Sequence, residues 1–246
     1  MSKEVRVFNL KLSTRNMSET IRWIKNRIKI NKGAIIYCCT LNEARMHDNY
    51  VLVKKIINEA DLRTADGMPL VWGLRLKTGI GERVYGPDLM KNIFINDKTK
   101  VIKHFFLGGT NDTLVKIKKR LVSEYKYKQV NIGYFSPQFK QKFSQSDYLN
   151  FKQIIKTFNP DIVWVGMGSE KQLIVTDQLS KMVNRVVWIT VGAAFDYLAG
   201  TKKQCPKLIR NMGLEWLYRW LMEPRRLTNR YWKVLRFIIS RNINKK

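Results

Sequence analysis

The chain has 246 residues, 45% of them apolar, which fits one large α/β domain with or without an appendage and argues against global disorder. Lysine and arginine number 46 against 19 acidic residues, and the formal charge of +27 attracts polyanions such as nucleic acid, anionic lipid surfaces or phosphorylated substrates. Three cysteines and two histidines, in no metal-ligand spacing, argue against a disulfide framework or a histidine-based metal site.

Short apolar runs alternate with helical patterns along the first 200 residues. Strands are predicted to begin near residues 5, 34, 62, 104, 129, 161 and 186. Helices are predicted from residue 18 to residue 33, over 43–58, 70–76, 111–124, 147–158 and 170–182, and from residue 87 onward. This alternation predicts a Rossmann-like α/β fold, with a mostly parallel sheet and helices on both of its faces.

In such a sheet, ligands lie outside the carboxyl ends of the strands. Small or polar residues follow five of the predicted strands, at positions 40–42, 66–67, 108–110, 166–169 and 192–196. Asp66 stands between a short apolar run and Gly67, and taken alone this is a common turn. Because five such strand ends converge on one edge, the pattern favours a cleft in which Asp66 faces a ligand.

Several residues near this edge suit a phosphorylated ligand. Gly108 and Gly109 precede a predicted helix whose N–H groups can seat a diphosphate, although packing alone also explains glycine there. Their spacing is not G-x-G-x-x-G, which disfavours a nicotinamide enzyme. Arg83 stays positively charged, and its guanidinium can donate two parallel hydrogen bonds to a phosphate. Gln172 and Asp196 follow two further strands, and an acid beyond a buried strand must be paired or must contact a polar ligand.

The composition changes near residue 200, which predicts a catalytic domain over residues 1–200 and an appendage over 201–246. The appendage carries 13 Lys or Arg and two acids. Glu223-Pro224 divides it into two helices, with tryptophans among the basic residues. Basic, Trp-bearing amphipathic helices are typical of a membrane interface, which we favour over an ordinary docked helical pair with a solvated basic face.

The motifs as a set resemble the WecG/TagA/CpsF glycosyltransferases, glycosyltransferase family 26. The resemblance runs from about residue 34 to residue 231, and the GLEWLYR…EPRR block is its most distinctive part. It is carried by Thr40-Leu41-Asn42, Ala65-Asp66-Gly67, ERVYGPDLM at 82–90, FLGG at 106–109, VGMG at 165–168 with Lys171-Gln172, VGAAFDYLAG at 191–200, GLEWLYR at 213–219 and EPRR at 223–226.

The resemblance implies an enzyme that moves a hexose, N-acetylmannosamine or another sugar, from a UDP-sugar to a polyprenyl-diphosphate-linked saccharide. Such enzymes serve the assembly of teichoic acid, enterobacterial common antigen, capsule or exopolysaccharide. The family's pattern implies inverting transfer without a metal ion or other cofactor. It also implies a cytoplasmic enzyme held peripherally on the anionic inner face of the cell membrane by its C-terminal appendage.

The resemblance assigns roles residue by residue. Asp66 matches the general base of the family. The other matches are Thr40 and Asn42 in the cleft near the base, Arg83 and Gln172 as donor or substrate contacts, Asp196 as a pocket acid, and Arg219, Arg225 and Arg226 as appendage arginines that close over the diphosphates.

Two departures from the family pattern bear on the identity of the donor. The usual Pro-Lys-Gln-Glu appears as Glu-Lys-Gln-Leu at 170–173, and the usual Arg-Ala-Pro appears as Gln-Cys-Pro at 204–206. The lost acid at Leu173 keeps open a non-catalytic partner subunit. A basic nucleic-acid-binding module is the other alternative, but it leaves the five strand ends without a purpose, so we expect no nucleic-acid partner. A homo-oligomer remains compatible with the sequence.

Overall fold

The computed structural model describes residues 4–243, and its N-terminal part is a β-hairpin followed by a helix. Strands β1 (Glu4–Val7) and β2 (Leu10–Ser13) pair antiparallel. The single strand predicted over residues 5–10 is wrong, because Phe8 and Asn9 adopt positive φ and reverse the chain. Helix α1 (Met17–Lys29) begins one residue before the predicted start at Ser18 and ends before Gly33. Asn16 caps it in a capping box with Glu19.

Six parallel strands form the central sheet. They are β3 (Ala34–Cys39), β4 (Leu62–Ala65), β5 (His104–Gly108), β6 (Ile132–Phe135), β7 (Ile162–Gly166) and β8 (Val187–Thr190), in the spatial order β4-β3-β8-β7-β5-β6. All five neighbouring pairs are parallel, so the carboxyl ends of the strands share one edge. The predicted Rossmann-like sheet is thereby confirmed.

Helices cover both faces of the sheet, as predicted. They are α2 (Leu41–Asn49), α3 (Val51–Glu59), α4 (Met68–Thr78), α5 (Gly86–Asn96), α6 (Asn111–Ser123), α7 (Gln145–Phe158), α8 (Ser169–Met182) and α9 (Ala194–Ala199), with a 3₁₀ turn at Gln129–Asn131. The single helix predicted over 43–58 is wrong, because Tyr50 is extended and separates α2 from α3.

Bulky side chains fill the core on the two faces of the sheet. Trp164 points into the face covered by α1, α5 and α6. Trp188 points into the other face, against α7 and α8. Both indoles are almost completely buried. The burial of strand residues on both faces explains why these strands read as continuous apolar runs.

Three further helices follow residue 200, namely α10 (Lys207–Asn211), α11 (Glu215–Met222) and α12 (Pro224–Ile243). Pro224 begins α12, as the Glu223-Pro224 break predicts. Phe237 packs near Phe8 of the hairpin, and Arg241 pairs with Asp48 at the end of α2 at 2.7 Å. The last helix therefore returns to the sheet domain. Within residues 4–243, no helix has both the length and the apolar character needed to cross a bilayer.

Candidate active site

Asp66 lies directly after β4, at the carboxyl edge of the sheet. Its backbone N–H donates to the carbonyl of Cys39 on the neighbouring strand β3 at 2.9 Å, which fixes the backbone of the turn. Its carboxylate accepts the N–H of Gly86 at 3.0 Å. The side chain is only 15% exposed. The carboxylate is therefore held in place by main-chain groups while one part of it remains accessible.

Arg83 is the cation beside Asp66. Its Nε donates to the carbonyl oxygen of Asp66 at 2.5 Å, and its Nη2 lies 3.5 Å from Oδ1 of the same residue. The guanidinium also stacks on Tyr85, with its central carbon 4.1 Å from the ring centroid. Arg83 is thus positioned by a backbone carbonyl and an aromatic face, as a rigid donor beside the candidate base.

Glu215 completes this cluster, a role that its sequence context did not predict. It is the first residue of α11, and its carboxylate accepts from Arg83 Nη2 at 2.7 Å and from the Tyr85 hydroxyl at 2.9 Å. Its side chain is 9% exposed, and Arg219 lies 4.0 Å away one turn later. The available signal was its position as one of two acids in an otherwise basic segment, inside the distinctive GLEWLYR motif.

Burial raises the pKa of Asp66 to about 6. The positive charge of Arg83 opposes that rise, and the Gly86 N–H opposes it further. The negative charges of Glu215 and, to a lesser degree, Glu43 add to it. A carboxyl group with a pKa near 6 is mostly ionised at neutral pH and still accepts a proton readily, which suits a general base.

Thr40 adjoins the Asp66 turn from β3. It caps α2, and its hydroxyl and backbone N–H both donate to the Glu43 carboxylate, at 2.5 Å and 2.9 Å. A Cβ on Gly67 would lie 3.2 Å from the Cα of Thr40, so the two strand ends approach closely. Asn42, the second residue of α2, is buried, and its side-chain oxygen accepts a hydrogen bond from Arg45 at 3.3 Å. Thr40 therefore borders the turn that carries Asp66, whereas the side-chain contacts of Asn42 are with Arg45 and Met46 of its own helix.

The other strand ends are also tightly joined. Buried Gln172 accepts the N–H of Gly192, after β8, at 3.1 Å. Gly108 has φ of +106°, and a Cβ there would lie 2.6 Å from the carbonyl oxygen of Gly166. Gly109 has φ of +73° and is exposed. The glycines thus serve the close approach of β5 to β7, and Gly109 leaves open backbone at the edge.

Asp196 and the remaining appendage arginines lie in a different set of contacts. Asp196 pairs with Lys202 at 3.1 Å, and Lys202 also pairs with Glu223 at 2.7 Å. Arg226 forms an ion pair with Glu223, and Arg225 is exposed. The structure therefore brings Asp66, Arg83 and, through Glu215, Arg219 together, whereas Arg225 and Arg226 lie outside that cluster.

Leu173, where the acid of the family pattern is lost, is fully buried in the apolar core beneath α8. Its side chain therefore belongs to the packing of the helix. Across residues 4–243, no three His, Cys, Asp or Glu side chains cluster as metal ligands would.

A partly buried carboxylate next to an oriented arginine, at the carboxyl edge of a parallel sheet, is an arrangement typical of α/β enzymes that act on anionic ligands. The model of the Glycosyl transferase WecG/TagA/CpsF family matches residues 5–245. The chain belongs to this family, as its motifs indicate, and is a glycosyltransferase of cell-surface polysaccharide biosynthesis.

Proposed function

We propose that the enzyme transfers a hexose, N-acetylmannosamine or a related sugar, from a UDP-sugar to a polyprenyl-diphosphate-linked saccharide, with inversion and without a metal ion. Asp66 takes the proton of the acceptor hydroxyl, whose oxygen attacks the anomeric carbon as the bond to UDP breaks. The observation that carries this role is the fixed carboxylate of Asp66, whose pKa of about 6 matches the work of a base at neutral pH.

Arg83 neutralises the charge that develops on the leaving diphosphate. Its Nε and Nη2 are engaged, and Nη1 makes no hydrogen bond within the described part of the chain, so this nitrogen is free for a phosphate oxygen. Arg219 adds a second positive charge near the cluster. Because these donors are already oriented, they stabilise developing charge without rearranging during the reaction.

The donor occupies the strand ends beside Asp66. Thr40 and Asn42 border its sugar, whereas Gln172, Asp196 and the backbone of Gly108 and Gly109 contact the rest of the nucleotide. Strand order supports this arrangement, since β8, β7 and β5 follow β3 in space away from Asp66. Neighbouring strands lie about 4.8 Å apart, so these ends span a length that suits an extended sugar nucleotide.

The C-terminal appendage, residues 201–246, holds the enzyme on the anionic inner face of the cell membrane, where its lipid-linked acceptor lies. Trp216 is 51% exposed and Trp232 is 53% exposed, in a segment with 13 basic residues. Each basic side chain close to an anionic leaflet contributes about 1 kcal/mol, and exposed indoles favour the interface. Arg225 and Arg226 lie in the same exposed region and approach the lipid-linked diphosphate from the membrane side.

The experiment is a UDP-release assay with a panel of UDP-sugars and a short-chain prenyl-diphosphate sugar as acceptor. We expect one donor to give acceptor-dependent UDP release that Asp66→Asn abolishes, with a product of inverted anomeric configuration and with activity retained in EDTA. Retained configuration or loss of activity in EDTA would contradict the mechanism. No release with any UDP-sugar would contradict the donor class.

A further inference from the structure

Glu215 is a buried carboxylate to which the proposed sugar transfer assigns no role. Its side chain is 9% exposed, and all its close polar contacts in the described chain are with Arg83, Tyr85 and Arg219. Burying a carboxylate is unfavourable unless it is paired and hydrogen-bonded. Its position at the first turn of α11, against two residues of the connection between α4 and α5, therefore links the C-terminal helices directly to the site.

Arg83 is shared unequally between two carboxylates. Its Nη2 is 2.7 Å from Glu215 and 3.5 Å from Asp66, so the shorter, stronger contact is the one to Glu215. The Tyr85 hydroxyl donates to the other oxygen of Glu215, which fixes the orientation of that carboxylate. Because Arg83 makes its closer contact with Glu215, it does not form a full ion pair with Asp66.

We propose that Glu215 is a positioning residue of the active site: it orients Arg83, docks α11 over the site, and keeps Asp66 from being neutralised by Arg83, so that Asp66 remains an effective base. This inference rests on the proposed function in one respect, namely that Asp66 is the base. It goes beyond that function by giving the C-terminal helices an electrostatic part in the chemistry, in addition to any contact with the membrane.

The charges around Asp66 support this role. Arg83 is the positive charge, Glu215 faces Asp66 from α11, and Glu43 faces it from α2. The remaining titratable groups near Asp66 are Tyr85 and the thiols of Cys38 and Cys39, which burial keeps neutral because it raises the pKa of each. The Glu43 carboxylate already accepts two hydrogen bonds from Thr40. Glu215 is therefore the carboxylate that competes with Asp66 for Arg83.

A purely structural anchor makes a different prediction from an electrostatic one. Loss of an anchor would loosen α11, lower thermal stability and expose Asp66, so it would shift the Asp66 titration in every variant that weakens the contact, including one that keeps the negative charge. Loss of a competing negative charge would leave Arg83 to Asp66 alone and would shift the titration of Asp66 to lower pH. The titration of Asp66 in the ligand-free protein therefore separates the two roles.

The test is a ¹³C NMR titration of the full-length protein labelled at the aspartate γ-carboxyl, with the Asp66 resonance assigned by its loss in Asp66→Asn. The variants Glu215→Gln and Glu215→Ser both remove the charge. Serine leaves room for water, so the test still works if the glutamine amide packs poorly in the place of the carboxylate. Glu215→Asp keeps the charge. Glu223→Gln is the matched control, because it removes a charge from the same segment and has no contact with Arg83 or Asp66.

We expect the Asp66 midpoint to move to lower pH in both neutral variants, and to stay at the wild-type value in Glu223→Gln and closer to it in Glu215→Asp. An unchanged midpoint in a folded neutral variant, or an equal shift in Glu223→Gln, would overturn the inference. These readings need no substrate, so they stand even if the panel of UDP-sugars gives no turnover. Where turnover is found, the acidic limb of the kcat/KM profile should move with the NMR midpoint.

Discussion

Arg83 and Glu215 share a 2.7 Å hydrogen bond although 132 positions separate them along the chain. The contact joins the start of α11 to the connection between α4 and α5, whose Arg83 is bonded to Asp66, so the region after residue 200 reaches the candidate active site. Breaking a buried ion pair by removing one partner destabilises a protein by about 3–5 kcal/mol. A pair in this position couples the docking of the C-terminal helices to the geometry around the base.

Asp66→Asn is expected to lower the rate of acceptor-dependent UDP release by at least about 10²-fold, because the amide cannot take the acceptor proton. Binding of the UDP-sugar should be retained, since the amide keeps an oxygen for the Gly86 N–H. Initial rates and calorimetric binding of the donor measure the two effects separately. Near-normal turnover would remove Asp66 from the role of base.

The rate of sugar transfer is expected to rise with pH across a midpoint near 6. Burial raises the pKa of Asp66 to about 6, and a general base works only when it is deprotonated, so the protonated enzyme below that pH is inactive. The kcat/KM profile between pH 4.5 and 8 measures the midpoint. A limb near pH 4, the ordinary value for an aspartate, would show that burial does not tune this carboxylate.

The same burial predicts that Asp66→Asn stabilises the folded protein at neutral pH. The folded state holds the proton of Asp66 up to pH 6 and the unfolded state only up to the ordinary value of 3.8. Asp66 therefore contributes its full stabilisation of the folded wild-type protein below pH 3.8. That contribution, at most about 3 kcal/mol of unfolding free energy, is lost as the pH rises to 6. Urea denaturation should show the variant more stable than wild type at pH 7.5, with the difference vanishing toward pH 4. A variant less stable at pH 7.5 would contradict this.

His104 is expected to make the fold sensitive to acid. It is fully buried, its Nδ1 accepts from Trp164 Nε1–H at 3.2 Å, and its Nε2 lies 3.2 Å from the hydroxyl of Tyr127, which in turn donates to Asp97. Burial lowers the pKa of His104 to about 3. His104 is therefore protonated below about pH 6.5 in the unfolded chain but stays neutral in the folded state down to about pH 3. The free energy of unfolding consequently falls as the pH drops from 6.5 toward 3.

His104→Gln measures that contribution. The variant should be less stable overall, but the slope of its unfolding free energy against pH should be smaller than that of wild type by about 1.4 kcal/mol per pH unit between 6 and 4. The difference between variant and wild type is the quantity to read, because Asp66 acts with the opposite sign in part of that range. Parallel curves for the two proteins would contradict a neutral buried imidazole.

Short continuous apolar runs that alternate with helical patterns predict the parallel sheet, because each of its strands is buried on both faces. Ligands lie at the carboxyl ends of such strands, and this rule places Asp66 at a cleft. The tight hairpin at Phe8 and Asn9 escaped prediction because non-glycine residues with positive φ leave no clear signal in the sequence. Glu215 escaped for another reason. Its partner Arg83 is distant in the chain, and no local pattern reports a contact of that range.

The exposed aromatic face of α12 is expected to support binding to anionic vesicles. Trp232 and Leu235 are about half exposed, and Arg236 lies over the Trp232 ring at 5.2 Å, which places cationic and aromatic groups on one surface. Changing both Trp232 and Leu235 to alanine should lower the affinity for phosphatidylglycerol vesicles, measured by co-sedimentation, by about 10–100-fold. Full burial of each side chain contributes about 1.5–3 kcal/mol, and about half of each is exposed and available for burial in the bilayer. Phe139→Ala is the control, since Phe139 is 94% exposed and lies outside the C-terminal helices, on the loop between β6 and α7. Equal binding by the double variant and wild type would place the membrane contact elsewhere.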